Sequence, residues 1–500
     1  MALLIPILAA ACIAAYTLYF LANRFVAWKR LRHISGPAEA AWSQSWLVRH
    51  QLGGDMCFDL EAVCNKYGPL ARVGPNFLVC SEPSEIRRVW SVHSGYQRAD
   101  WYKGYRIDPS SDSVLTAIEN KEHHRLRTQL LPGYMGRGQG GQEKLLDEQV
   151  LKFIKLVERA YLSDNVATRE MDMGDVFVYL TQDITSAIEF GEPFGYLDSN
   201  ADTNGIIKAL DSMKLPCAVL ALLPSVTAVA QSTVFTPFLP KPTDPTGVGR
   251  MLGIVKAHVD KRYGEKKQKR TDVLQSFVDS GLSQKEVEAE ALVHLLGGSD
   301  TTATALRIAV FHISSNPRAY RRLQAEIDSA ASSVTRPIIA DAEAKKLPYL
   351  QATIKEALRM WPPISGLMPK VSARDDVICG KAVPAGTMVG WCAFGAMKNK
   401  GVFGENADDF EPARWLEAEP EKLKEMEATQ ALVFVAGTRW ECLGKKLAYS
   451  ELGKVLFEFF LRFDVSMINP AKPFSWSNQG FTTHQNMKAK VTKRDVAGSN

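Results

Sequence analysis

From Phe434 to Leu452 the chain reads FVAGTRWECLGKKLAYSEL. Phe434 and Gly437 precede Cys442, Gly444 lies two residues after it, and helical periodicity begins there. This is what a thiolate ligand needs against a flat metal macrocycle such as haem. Gly437 and Gly444 let the chain run close to a ring. Backbone N–H groups at the start of the following helix can face the sulfur and stabilise its negative charge. Phe434 can pack beside the sulfur and keep water away. Taken alone, Cys442 also suits a small buried hydrophobe, the usual state of a free cysteine. The rest of the chain has to decide.

Upstream, Glu356 and Arg359 stand three apart on one face of a helix expected over Tyr349–Trp361. Pro348 and the pair Pro362-Pro363 bound that helix, as the missing N–H and fixed φ of proline require. An isolated pair of this kind is worth about 0.3–0.5 kcal/mol on a solvated surface. The stretch Phe410-Glu411-Pro412-Ala413-Arg414-Trp415 adds a second arginine in irregular chain. Gly297-Gly298-Ser299-Asp300-Thr301-Thr302 sits inside a long apolar helix expected over Gln284–Ser315. A helix break there, with Ser299 or Asp300 as a new N-cap, is the plain alternative.

These four elements, in this order, resemble the cytochrome P-450 superfamily: its oxygen-activating helix, its Glu-x-x-Arg helix, its meander arginine and its cysteine loop. Segments such as NKYGPLARVGPN and NADDFEPARWL look most like fungal microsomal members related to pisatin demethylase. The resemblance implies haem b as cofactor, with Cys442 as axial ligand to the iron. Glu356, Arg359 and Arg414 would form the structural triad behind the cysteine loop. Asp300 and Thr301 would be the catalytic pair on the opposite face, relaying protons toward dioxygen, with Gly297-Gly298 letting the helix widen. Haem carries two propionates, so basic partners are expected; His123, Arg127 and Lys370 resemble the family's positions for them. The cysteine loop departs from the family, which usually has a basic residue two before the cysteine and Phe seven before it. Here Trp440 is two before, Arg439 three before and Phe434 eight before. Either Arg439 or the Trp440 indole would then meet a propionate.

Composition fits this reading. Apolar residues make up 46% and charged residues 23% of 500, which excludes a disordered chain and a multi-span membrane protein. A net charge of +5 gives no reason to expect nucleic-acid binding. Eight cysteines without a CxxC spacing suggest neither a disulfide scaffold nor a zinc site. The run Ala2 to Ala22 carries no charge and is followed by Arg24, Lys29, Arg30 and Arg32. Its 21 residues are about enough to cross ~30 Å of hydrocarbon, with the body left on the cytosolic side.

The expected organisation is an anchor over 1–22, a basic Gly-Pro linker over 23–41 and one haem domain over 42–500, mainly α with small β-sheets. The expected place is the endoplasmic reticulum membrane, spanned once. Leu215–Pro240, apolar but cut by prolines, suits either a buried core segment or a second membrane-contacting surface near a mouth for apolar ligands. Substrate-facing positions are expected near Ile107–Leu115, at Leu292, Val293 and Leu296, over Ile364–Met368 and at Phe481–Thr483; they are mostly apolar, so the substrate should be an apolar small molecule.

No flavin or nicotinamide fingerprint is present. By resemblance, electrons would come from an NADPH-cytochrome P-450 reductase, with cytochrome b5 as an optional second source. Lys445, Lys446, Arg439 and Arg127 would offer a positive docking face. The competing chemistry is a haem-thiolate isomerase or dehydratase acting without a reductase, and the Asp300-Thr301 pair argues against it.

Overall fold

The computed structural model describes residues 4–136, 141–264 and 268–494. Helices dominate, and seven of them position the site: α1 (Leu4–Leu31), α2 (Asn120–Tyr134), α3 (Met173–Phe190), α4 (Ile206–Leu222), α5 (Gln284–Ser315), α6 (Pro348–Met360) and α7 (Lys445–Arg462). One apolar core runs from Leu31 to Val491.

The central helix α5 is 32 residues long and starts with a capping box. The Ser283 hydroxyl faces the Glu286 N–H, and the Glu286 carboxylate accepts the Ser283 N–H at 2.8 Å. It runs without a break through Gly297-Gly298, so no new N-cap forms there. The glycines do different work. A Cβ on Gly298 would stand 2.8 Å from the Thr185 hydroxyl, so this glycine lets α3 pack tightly against α5. A Cβ on Gly297 would meet nothing within 4 Å, because that position faces a cavity.

Five strands form the larger sheet: β1 (Leu70–Gly74), β2 (Phe77–Cys80), β3 (Tyr96–Arg98), β4 (Lys370–Ser372) and β5 (Met388–Trp391), in the order β1-β2-β5-β4-β3. Strands β1 and β2 form an antiparallel hairpin, and β2 runs parallel to β5 with Phe77 opposite Met388. Strand β3 pairs antiparallel with β4, placing Arg98 opposite Lys370. Neither β3 nor β4 is expected from the sequence, since three-residue strands carry too little alternation to read. The helix Gln142–Leu156 ends in a π-helical turn over Val157–Tyr161.

The expected anchor falls largely on residues whose side chains lie outside the described part; α1 itself is continuous from Leu4 into the core, where Leu31 is buried. Among the described residues no single helix is long and apolar enough to cross a membrane. One bent pair, Ile206–Leu222 with Pro224–Ala230 at 119°, passes together by length and composition. The proline-cut segment is mixed: Ala218, Ala221 and Leu222 are core, whereas Val226, Val229, Val234, Phe235 and Phe238 are exposed.

Helix α4 closes over the turn Asp100–Tyr105 at very short range. A Cβ on Gly104 would lie 2.3 Å from the Ala221 nitrogen, a backbone atom that cannot step aside. Gly104→Ala should therefore cost about 1–3 kcal/mol through overpacking. Thermal unfolding should show a lowered midpoint, and an unchanged midpoint would refute this close approach.

Candidate haem-thiolate site

The cysteine loop is closed by a hydrogen bond from the Cys442 N–H to the Phe434 carbonyl, 2.9 Å. Two residues in the left-handed region, Val435 (φ 51°) and Gly437 (φ 73°), take up its length. Thr438 Oγ1 donates to the Val435 carbonyl at 2.7 Å and stiffens the turn. Gly437 is on the outside, so it serves this turn and does not line the cavity as expected. Gly444 does line it, directly before α7.

Helix α7 has no side-chain N-cap. The N–H groups of Gly444 and Lys445 point at the Cys442 sulfur instead. Burial pushes the thiol up from its ordinary value, and those N–H groups together with Arg127 pull in the other direction. The free surface of Cys442 opens into a cavity of about 1400 Å³, its mouth included. Phe434 lines the same cavity and packs on Tyr449, ring centroids 5.2 Å apart.

The opposite wall is α5. Val293, Gly297 and Thr301 lie on it at helical spacing, with Ala305 one turn further. The Thr301 hydroxyl donates to the Gly297 carbonyl at 2.6 Å. Leu292 and Leu296, expected to face substrate, are buried in the core instead, on the far side of the helix. Val114, Leu115, Ile364 and Met368 complete the apolar wall.

Asp300 departs from its expected place. It is buried behind the wall, 2.6 Å from Lys214 Nζ and 3.8 Å from Arg307. Burial alone would raise its carboxyl, but Lys214 and Arg307 hold it below the usual range. Lys214 is itself fixed by Asp211 at 2.9 Å and by Thr483 Oγ1 at 2.8 Å. Thr301 and Asp300 are thus adjacent in sequence but separated by the helix surface, one in the cavity and one in a buried charge cluster.

One end of the cavity is basic. His123, Arg127 and Lys370 all line it. His123 is buried, its Nδ1 has no hydrogen-bond partner among the described residues, and burial pushes its pKa down to about 2. Arg127 donates to the Glu441 carbonyl. Lys370 Nζ donates to the Tyr102 hydroxyl at 2.6 Å and lies 4.6 Å from the Trp440 ring centre.

Arg439 is a correction: it turns outward, gives a hydrogen bond to the Val92 carbonyl at 3.1 Å and does not line the cavity. Trp440 takes the inward place, its indole N–H buried without a hydrogen-bond partner among the described residues. Sequence reading missed Arg98, which β3 delivers to the same end with its Nε unpartnered. Only the register of β3 on β4 could have revealed it. Unpartnered donors on Arg98 and Trp440, with Arg127 and Lys370 beside them, fit a group carrying carboxylates, and the thiol fits an iron ligand.

Behind the cysteine loop, Glu356, Arg359 and Arg414 meet. Arg359 grips both Glu356 oxygens at 2.8 Å, and Arg414 Nε reaches Oε1 at 2.9 Å. Trp415 Nε1 and the Glu411 N–H fill the remaining acceptor sites, each at 2.9 Å. Arg359 also ties down the carbonyls of Met397, Ala407 and Asp409. Both Glu356 and Arg359 are fully buried, which excludes a solvated pair. Burial would raise Glu356, yet the two arginines hold its carboxyl below the usual range. Removing either partner leaves a bare buried charge, so Glu356→Ala and Arg359→Ala should each cost about 3–5 kcal/mol. Both variants should accumulate without bound haem, measured as the ratio of haem to protein absorbance; a normal ratio would contradict the role.

The comparisons with known proteins agree with this geometry. The cytochrome P-450 family model matches residues 40–489. The cytochrome P-450 monooxygenase ABA1 of Pyricularia oryzae is 36% identical over 493 residues, covering 96% of each chain. The cytochrome P-450 monooxygenase aba1 of Botryotinia fuckeliana is 34% identical, covering 93% of this chain and 92% of its own. The monooxygenase gsfF of Penicillium aethiopicum is 27% identical, covering 93% and 94%. With its cysteine in the cavity and its family match over nearly the whole length, the chain belongs to the cytochrome P-450 family and is a haem b monooxygenase.

Proposed function

We propose that this enzyme is a membrane-anchored haem-thiolate monooxygenase of fungal secondary metabolism. It oxidises an apolar small molecule with dioxygen and takes electrons from NADPH through a membrane-bound reductase. The observation that carries the reading is Cys442: its sulfur faces the cavity under two helix N–H groups, opposite Thr301 on α5.

When bound, haem b supplies the iron that activates dioxygen, and a thiolate ligand favours O–O cleavage. The chain does the rest. Cys442 would ligate the iron, and Phe434, which lines the same cavity, would keep water from the sulfur. Arg98, His123, Arg127, Lys370 and Trp440 would hold its carboxylates. Val114, Leu115, Val293, Ile364 and Met368 exclude water and orient an apolar substrate against Thr301. The Thr301 hydroxyl passes a proton at its Oγ1. Asp300, the expected relay, lies in the buried cluster with Lys214 and Arg307.

The uncharged run over 2–22 and the exposed Val226, Val229, Val234, Phe235 and Phe238 support membrane contact at two places. Lys446 is exposed, while Lys445 pairs with Glu441 at 3.2 Å, so the positive face for a reductase is narrower than the sequence suggests.

The reduced carbon-monoxide complex should show a far red-shifted Soret band that Cys442→Ala abolishes; an imidazole-type band in the parent would overturn thiolate ligation. Thr301→Ala should keep that band, consume NADPH with added reductase and divert about tenfold more of it to peroxide. Coupling equal to the parent would remove Thr301 from the proton path.

A further inference from the structure

Three turns before Thr301, helix α5 carries a carboxyl that the reaction leaves unused. Glu290 is completely buried. Its Oε1 accepts the Val114 N–H at 2.5 Å, and its Oε2 has no hydrogen-bond partner among the described residues. The carboxylate one turn earlier, Glu286, is already committed to Ser283 and Arg125. The Glu290 carboxyl forms no ion pair among the described residues.

The loop it touches matters. Val114 and Leu115 line the cavity. The turn is closed within itself, Thr116 and Ala117 both donating N–H to the Ser113 carbonyl, at 3.0 and 2.8 Å. From the other side Arg98 donates to the Val114 carbonyl at 2.5 Å and the Ala117 carbonyl at 3.2 Å. The turn is therefore gripped at both polar ends of one peptide segment, by the arginine of the carboxylate end and by the carboxyl of α5.

Glu290, Gly297 and Thr301 fall at i, i+7 and i+11, one stripe of a single unbroken helix. At 1.5 Å per residue, Glu290 and Thr301 are about 16 Å apart along the axis. A rigid helix thus carries both the clamp on the apolar wall and the hydroxyl beside the reacting position. Nothing else on α5 reaches the turn through a hydrogen bond among the described residues.

We infer that Glu290 is a positioning residue for substrate selection: by holding the Val114 N–H it sets where the Val114–Leu115 wall stands relative to Thr301, and so the depth of the cavity open to an apolar substrate. This rests on the haem-thiolate reading of the cavity. It asks for a carbonyl-type oxygen at position 290 rather than for a charge, so Gln should serve and Ala should not.

The test uses the full-length holoenzyme, with imidazole and a graded series of 1-alkylimidazoles from butyl to dodecyl as probes. Each ring ligates the iron, and the tail reports on the wall. Imidazole should bind the parent and Glu290→Ala within about twofold. Glu290→Ala should lose the parent's dependence on tail length, by about tenfold at the preferred length, roughly the worth of one buried hydrogen bond. Glu290→Gln should restore the parent's profile, and amide exchange over 107–118 should speed up in Ala but not in Gln. If Ala does not accumulate with haem, Glu290→Asp, which withdraws the oxygen by one methylene, takes its place in the same series. An unchanged tail profile in the Ala or Asp variant overturns the inference. So does an equal loss for imidazole and the long tails, since that is general destabilisation. Failure of imidazole to bind the parent at all would instead overturn the haem reading beneath it.

Discussion

Glu356 is the charge around which the rest of the protein is arranged. A carboxylate taken fully out of water is costly, and only near-complete satisfaction offsets that cost. Arg359, Arg414, Trp415 and the Glu411 N–H provide it. Arg359 then has donors left over, and it spends them on the carbonyls of Met397, Ala407 and Asp409. One ion cluster therefore staples α6 to the end of a short helix at Met397 and to the irregular stretch that holds Ala407 and Asp409. The cysteine loop follows this stapled region after one further helix and is held by its own bonds, Cys442 N–H to the Phe434 carbonyl and Thr438 Oγ1 to the Val435 carbonyl.

From that support the site is built by opposition of two helices. Helix α7 starts at the cysteine loop and turns its uncapped N–H groups on the sulfur. Helix α5 passes across the other side, kept close to α3 by Gly298 and kept clear of the cavity by Gly297. The polarity of the cavity is divided along its length. Apolar side chains face Thr301, and unpartnered nitrogen donors gather at the end where β3 and β4 arrive. Donors left unpartnered in a buried place are expensive unless a ligand completes them, and haem propionates are groups of the right charge and shape.

How much of this was legible depended on distance along the chain. The Glu356–Arg359 pair could be read because both residues sit on one helical face, and Arg414 because its surroundings match a family pattern. Helix α5 was legible end to end from its periodicity. The direction of Arg439 and Trp440 was not, because an extra residue in a loop rotates every side chain after it, and no local rule says by how much. Asp300 was read as facing the reacting position from its place beside Thr301. Successive residues on a helix point about 100° apart, and a lysine far upstream on α4 claims Asp300 while Thr301 faces the cavity.

The sequence alone determined the chemistry: a cysteine before a helix, a buried-type Glu-x-x-Arg pair, a Gly-Gly-x-Asp-Thr turn and an apolar first segment are properties of short, local text. The tertiary structure alone decided which polar atoms face the cavity. Arg98, Trp440 and the Glu290 clamp on Val114 arise where strands and loops remote in sequence are brought side by side. Side-chain direction there is set by register and burial, quantities that exist only once the chain has folded.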